Sequence, residues 1–179
     1  MAQSTDHISK YVTYGECIAS PTADKLNIKN IPPIHLLDNM TKVATNCFDP
    51  ARIKIGYPLG INSFYRCKAL NDSLGSTDKS HHLLGMAIDC DATKYSSSTK
   101  HPWTNAMLFT WMAINLKYTQ IIWEGERSDG EPQWVHIAYD ENNLIQKKTM
   151  YTRRTGYVNF NLDMAKLESD LNSKLKSFI

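Results

Sequence analysis

The spacing of apolar side chains predicts three helices. Apolar residues recur every three or four positions over residues 34–48, and Asp49-Pro50 is expected to end that helix. The same periodicity runs over residues 103–116. A weaker version over residues 162–178 predicts a C-terminal helix that docks on the body of the protein or serves an interface.

Strand patterns lie between and after the first two helices. Residues 59–63 alternate, and residues 86–90 form a short apolar run. Two further strands, residues 120–124 and 134–139, flank a polar loop with Asp129-Gly130, which predicts a hairpin. We therefore expect an α+β fold in a single domain, with a small antiparallel sheet and helices packed on one side.

Length and composition favour one soluble domain. The chain has 179 residues, 42% of them hydrophobic, so it can bury a core without staples. Its net charge of +2 comes from interspersed charges of both signs, which gives no support for a nucleic-acid or membrane partner. We expect residues 1–150 to form the main domain and residues 151–179 a helical tail packed on it. The oligomeric state is left open.

The termini and cysteines bear on the compartment. The N-terminus shows no basic stretch followed by an apolar run, so the sequence predicts no signal peptide and synthesis in the cytoplasm. The four cysteines are widely spaced without a C-x-x-C pair, which argues against a thiolate zinc site. We expect reduced core thiols, with two disulfides as the alternative if the protein leaves the cell by another route.

Three residues could form a metal site. His82 and Asp89 are seven positions apart around Gly85, which can supply a turn that lets both side chains converge. His136 lies on a predicted strand and shares its face with Trp134. Two imidazoles and a carboxylate suit zinc, with one coordination position left for water. Spacing alone leaves hydrogen-bonded core residues as an open alternative.

Other reaction centres have weaker support. The sequence contains no H-E-x-x-H, no G-x-S-x-G and no P-loop lysine motif. A triad of Ser80, His136 and Asp91 would lack a strained turn to present the serine. Cys90 is flanked by apolar and acidic residues, which raise a thiol pKa and disfavour a nucleophile.

Three sequence blocks resemble the M15 metallopeptidases, which include D-alanyl-D-alanine carboxypeptidases and phage cell-wall lysins. Residues 63–66 match the pattern S-x-Y-R, residues 80–89 match S-x-H-x-x-G-x-A-x-D, and residues 134–136 match W-x-H. The order and approximate spacing of the blocks are kept, and the resemblance covers about residues 8–140. It places the metal site at the sheet.

The resemblance implies a role for each matching residue. His82, Asp89 and His136 would bind one zinc ion per chain. Arg66 would anchor a substrate carboxylate or carbonyl oxygen, which its planar guanidinium suits. Five residues would shape the substrate pocket: Ser63, Tyr65, Asn71, Ser80 and Trp134. Beyond the motifs, Asp91 is expected to orient a ligand histidine.

The general base departs from the family pattern. The acid or histidine expected two or three positions before the last ligand is replaced by Gln133 and Trp134. The most similar branch has a glutamate at the end of the preceding strand, which matches Glu124. Across a hairpin, that residue and His136 could share a face. Glu131 is the reserve candidate.

The resemblance implies hydrolysis of peptidoglycan stem or cross-link peptides, as a D,D-carboxypeptidase or an L,D- or D,D-endopeptidase. A phage-type lysin that reaches the cell wall after release would fit the predicted lack of a signal peptide. The alternative is a zinc-bearing binding or virion-structural module that has lost catalysis, which the missing acid beside His136 would favour.

Overall fold

A six-stranded sheet organises the protein, whose computed structural model describes residues 3–99 and 101–177. The spatial order of its strands is β1-β2-β4-β3-β5-β6. Their bounds are β1 Gly60–Ser63, β2 Ala87–Asp91, β3 Gln120–Glu126, β4 Pro132–Ala138, β5 Lys147–Thr152 and β6 Gly156–Asn159. The expected α+β class and the hairpin of β3 and β4 are confirmed.

The sheet is mixed rather than wholly antiparallel, because β3 and β5 run parallel. β4 ends where β3 begins, with Ala138 opposite Gln120. The chain then crosses that end of β3 and starts β5 with Lys147 beside Gln120. Backbone hydrogen bonds from Gln146 and Lys147 to the segment before β3 fix this crossing. β5 therefore runs parallel to β3, and no local sequence pattern predicts this direction.

The helices complete the element list. They are α1 Tyr14–Ile18, α2 Pro21–Lys25, α3 Leu37–Val43, α4 Asp49–Ile55, α5 Lys68–Ser73, α6 Ser96–Thr99, α7 Asn105–Asn115 and α8 Met164–Lys176, with 3₁₀ turns at Ile34–Leu36 and His81–Leu84. The core faces of β2, β3 and β4 carry Ile88, Trp123 and Ile137, which belong to one cluster with Phe109 and Met112 of α7. One face of the sheet is thereby buried.

The first predicted helix does not end at Pro50. Helical backbone continues from the 3₁₀ turn through α3, a π-helical turn at Ala44–Phe48 and α4. Proline normally clashes with the carbonyl four residues earlier. In the wider π turn, the Asp49 N–H bonds to the Ala44 carbonyl instead, which accommodates the proline without a break. The helix ends at Gly56, whose φ of 75° is left-handed.

The C-terminal part contains strands as well as a helix. Residues 151–159 belong to the β5–β6 hairpin, because Tyr151 pairs with Tyr157. The last helix is α8, close to its predicted bounds, although Phe178 lies outside the described residues. Leu171 of α8 is buried in the core cluster, and Phe160 stacks on Phe109 at 4.9 Å. The division of the chain at residue 150 stays a prediction.

All four cysteines are free thiols, and Cys17, Cys47 and Cys90 are buried. In the described ranges, no helix combines the length and apolar character that crossing a bilayer requires.

Asp49 ties the N-terminal segment to the long helix. Its buried carboxylate accepts hydrogen bonds from Ser9 Oγ at 2.9 Å, Lys10 N at 3.0 Å and Tyr11 N at 3.3 Å. We predict that Asp49→Ala lowers the free energy of unfolding by about 2–4 kcal/mol, because three donors lose a charged acceptor. Denaturant titration checks this.

The matched control is Asp38→Ala on the same helix, where an exposed carboxylate pairs with Lys42 at 2.8 Å. That change is expected to cost less than about 1 kcal/mol. Equal losses in the two variants would contradict the anchoring role of Asp49.

Candidate metal centre

Strand register gathers the polar site on the sheet face opposite the core. Asp89 of β2 pairs with His136 of β4, which in turn pairs with Ile122 of β3. Directly paired residues project on the same face, about 5 Å apart. Their chain neighbours Ile88, Val135 and Ile137 point into the core. The alternation of β2 and β4 thus supplies core packing and two site residues at once.

His82 reaches the same point from a 3₁₀ turn. The Ser80 side chain caps this turn by accepting from the His82 N–H, and Gly85 ends it with a φ of 64°. A Cβ at Gly85 would lie 2.6 Å from Met40 Cγ, so the close packing of this turn on α3 excludes a side chain there. The reversal of the chain at Gly85 brings His82 over Asp89, as the spacing of these residues predicts.

The three side chains form a compact donor cluster. Asp89 Oδ1 lies 3.2 Å from His82 Nε2 and 2.9 Å from His136 Nδ1. The two histidine nitrogens are 3.2 Å apart. All three residues are buried, with exposed fractions of 2–6%. Among the described residues, they form the group of histidine, cysteine and acidic side chains that is placed to hold a metal ion.

The hydrogen bond of His82 sets which of its ring nitrogens faces the rest of the cluster. His82 Nδ1 donates to the Phe64 carbonyl at 2.5 Å, so in a neutral ring Nε2 carries a lone pair. That lone pair faces the Asp89 carboxylate, which is repulsive unless a proton or a metal ion lies between them. Zinc bonds of about 2.0–2.2 Å at tetrahedral angles put donors about 3.3–3.5 Å apart. The observed separations of 2.9–3.2 Å are slightly shorter, so one metal ion would fit after a small outward movement of the donors.

Arg66 binds the Asp89 oxygen that does not face the two histidines. Its Nη2 donates to Asp89 Oδ2 at 2.7 Å, and its Nε donates to Ser63 Oγ at 2.8 Å. The carboxylate thus faces Arg66 with one oxygen and both histidines with the other. Ser63 orients Arg66 in this structure. The predicted contact of Arg66 with substrate depends on its remaining donors.

The charges around Asp89 keep it ionised. Burial alone would raise the pKa of its carboxyl, but the charge of His82 and the hydrogen bond to His136 outweigh burial and hold the pKa well below its usual range. Asp89 is therefore ionised at neutral pH and offers an anionic oxygen to the cluster.

Glu124 lies beside this cluster on β3, directly opposite Trp134 of β4. Burial, followed by the charge of Asp89, raises the pKa of the Glu124 carboxyl, while His136, Arg66 and the Trp134 indole oppose the rise. The buried Trp134 Nε1 lies near the Glu124 carboxyl but does not reach strict hydrogen-bonding geometry. A carboxylate with a raised pKa next to a candidate metal is suited to exchange protons.

Several predicted residues lie elsewhere. Tyr65 is buried in the core, and Asn71 is fully buried with its Nδ2 bonded to the carbonyls of Ser76 and Thr77. Neither residue lines the cleft described below, and their role in the substrate pocket stays a prediction.

Glu131 and Asp91 also have structural partners. Glu131 Oε2 accepts from Ala106 N at 2.8 Å in the first turn of α7, where an acid complements the free N–H groups. Asp91 Oδ1 accepts from Thr93 N at 2.8 Å and from Asn105 Nδ2 at 3.1 Å. Asp91 does not orient a ligand histidine, because the Phe64 carbonyl takes that role for His82.

A cleft of about 240 Å³ opens over the cluster. Its lining contains predicted residues, namely Arg66, Ser80, His82, Glu124 and His136. It also contains residues that the sequence analysis did not assign to the site: Ser76, Thr77, Lys79, Gln120, Ile122, Lys147, Thr149 and Tyr157. His81, the chain neighbour of the ligand His82, lines the cleft as well.

Three of the eight missed residues come from β5 and β6. Residues 147–152 do not alternate cleanly between polar and apolar side chains, so the polar turn before Gly156 was the hairpin signal. The signal gave no partner for the hairpin, and hence no reason to connect it with the metal centre. Its position beside β3 follows from the crossing of residues 139–146.

Comparison with known proteins gives one finding. A family model described as Peptidase M15 matches residues 11–112, more than half of the chain. The match includes Arg66, His82 and Asp89 and ends before β3 and β4, so Glu124 and His136 join these residues through the sheet. A search of the curated proteins finds no match.

The packing at Gly85 gives a prediction. Gly85→Ala should lower the affinity for zinc at least tenfold and also the free energy of unfolding, because the new Cβ displaces the turn that carries His82. Titration against a competing chelator and thermal unfolding measure the two effects.

The matched control is Gly56→Ala. Gly56 has a similar φ of 75°, but nothing lies within 4 Å of an added Cβ. This variant is expected to lose about 1–2 kcal/mol of stability from backbone strain while it keeps its zinc affinity. Unchanged zinc affinity in Gly85→Ala would contradict the proposed link between turn and ligand.

Proposed function

The chain belongs to the M15 peptidase family, and we propose that it is a zinc-dependent peptidase that hydrolyses a peptide bond in bacterial peptidoglycan. The observation that carries the proposal is the buried cluster of His82, Asp89 and His136, open to a cleft that also contains Glu124. Two imidazoles and one carboxylate leave a coordination position for a reacting group, as catalytic zinc sites do.

Each ligand is prepared for metal binding by its surroundings. The Phe64 carbonyl holds the proton of His82 on Nδ1 and so directs the Nε2 lone pair to the metal position. Arg66 fixes the orientation of the Asp89 carboxylate through Oδ2 and leaves Oδ1 for the metal. When bound, zinc would supply a Lewis acid for the substrate carbonyl and lower the pKa of water from about 15.7 to about 7.

Glu124 is the proposed general base. Its carboxylate takes the proton from the attacking water and passes it to the leaving amine. The raised pKa favours the first half of that exchange, because the carboxylate is a stronger base than that of an exposed glutamate. Glu131 is a poor alternative, since its carboxylate binds the first turn of α7.

The position of Glu124 also bears on the alternative of an inactive binding module. That reading depended on the missing acid immediately before His136. Glu124 supplies an acid to the same cleft from the neighbouring strand, which favours the peptidase. The type of bond cleaved and the setting of a phage-type lysin stay predictions from the resemblance.

The first test combines metal content with hydrolysis. We expect about one zinc per chain by elemental analysis, and loss of turbidity when purified peptidoglycan is treated with the protein. Chelation should abolish the lysis and added zinc should restore it. His136→Ala should lose the zinc and the lysis together. Lysis that survives complete metal removal would contradict the proposal.

The second test separates the base from the ligands. Glu124→Gln is expected to lower kcat by about 10²–10⁴-fold while the zinc content stays unchanged. The matched control is Glu131→Gln, which should keep kcat and lose only some stability through its contact with α7. If kcat fell in Glu131→Gln and not in Glu124→Gln, the assignment of the base would be reversed.

The pH dependence follows from the same carboxyl. A raised pKa keeps Glu124 protonated to a higher pH than an exposed glutamate, so kcat should fall as the pH drops through that pKa. The ionised form is the one that burial penalises, so in the metal-free protein Glu124→Gln should raise the unfolding temperature at neutral pH. That gain should vanish in acid, where Glu124 is neutral in both the folded and the unfolded chain.

A further inference from the structure

The cleft has two chemically different ends. Strand register places Gln120 and Lys147 side by side at one end, and Glu124 beside Tyr151 at the other. The row of His136, Ile122 and Thr149 lies between them. Alternate residues of a strand are about 6.5–7 Å apart, so the two end rows are separated by about 13 Å. A short extended peptide could span this distance.

Two lysines line the cleft, and Lys147 lies at the end with Gln120. Lys79, from the loop before the 3₁₀ turn, and Lys147 both line the cleft and are exposed. In the part of the chain that the structure describes, neither ammonium group forms an ion pair. Asp78, the chain neighbour of Lys79, instead lies 3.1 Å from Lys68 Nζ.

The remaining charges of the lining leave these lysines uncompensated. Arg66 is occupied by Asp89. Glu124 is the carboxylate that faces the cleft, and it lies in the row farthest from Lys147. A substrate that placed its own negative charge within reach of these lysines would therefore meet unpaired cations, while an uncharged group would leave them unpaired.

We propose that Lys79 and Lys147 form a carboxylate subsite that sets the direction in which a peptide lies in the cleft. This rests on the proposed function, since it assumes that the scissile carbonyl lies over His82, Asp89 and His136. Each exposed lysine is worth only a few-fold in affinity, because water screens the pair. Two together give about 3–30-fold, enough to select a substrate that carries the carboxylate.

The carboxylate could belong to the C-terminus of the peptide or to an acidic side chain within it. The two sources correspond to different reactions. A C-terminal carboxylate at the subsite suits removal of a terminal residue, and a side-chain carboxylate suits cleavage inside a cross-link or stem. Probes that carry only one of these groups distinguish the sources.

The experiment measures binding rather than turnover. The full zinc-loaded chain carries Glu124→Gln throughout, so that peptides stay intact during calorimetry. Three N-acetylated peptides with the same D-alanine terminus are compared: one with a free C-terminal carboxylate, one with a C-terminal amide, and one amide with a D-glutamyl side chain. At least one acidic peptide should bind about 3–30-fold more tightly than the neutral amide, and less so at high salt.

Two variants test the assignment. Lys79→Gln combined with Lys147→Gln should abolish the preference for the acidic peptide. The matched control, Lys148→Gln, removes a charge from the next residue, which points to the other face of β5 and lies 5.9 Å from the Tyr118 ring. It should keep the preference within about twofold. Thermal unfolding confirms that all variants are folded.

The outcomes separate this proposal from the proposed function. The subsite is overturned if the neutral amide binds as tightly as both acidic peptides, if the preference survives in the double variant, or if no peptide binds. Hydrolysis of peptidoglycan is assayed independently with Glu124 intact. Charge-selective binding without hydrolysis would sink the peptidase and leave the subsite; hydrolysis without charge selectivity would do the reverse.

Discussion

The buried carboxylate of Asp89 is the constraint on which the rest of the site depends. A lone ionised carboxylate in the interior costs several kcal/mol, so its position requires compensating charge. Arg66 binds one oxygen and the two histidines face the other. These partners meet only if β2 pairs with β4 in the observed register and the turn at Gly85 forms. The chain after β1 must also place Arg66 beside Asp89. The candidate metal centre therefore forms only when these separate parts of the fold are all in place.

In β2 and β4, alternate side chains serve the polar site and the apolar core. Asp89 and His136 project toward the cleft, while Ile88 and Ile137 from the same strands pack in the core. Core packing thus holds the ligands rigidly without any side chain that serves both purposes. Glu124 shows the cost of function, because its burial beside Asp89 disfavours the ionised form. Sites of this kind trade stability for reactivity.

The predictability of each feature follows from the distance over which it is encoded. His82, Gly85 and Asp89 lie within one short motif, so their convergence could be read from the chain, as could the hairpin that carries Glu124. The crossing into β5 depends on long-range pairing, which local patterns do not specify. The passage of a helix through Pro50 depends on a π turn. The burial of Asn71 depends on a loop that packs over it.

Under the proposed function, part of the wall that contacts substrate lies outside the short motifs that carry the metal ligands. The family match ends at residue 112, yet one side of the cleft is formed by Lys147, Thr149 and Tyr157 from the later β5–β6 hairpin. Residues that hold a metal must satisfy its bond lengths, whereas wall residues need only complement a ligand. The hairpin can therefore change its side chains without disturbing Asp89 and its partners. Under the proposed function, the chemistry lies with β2, β3, β4 and the 3₁₀ turn, and the selectivity with Lys79 and the β5–β6 hairpin.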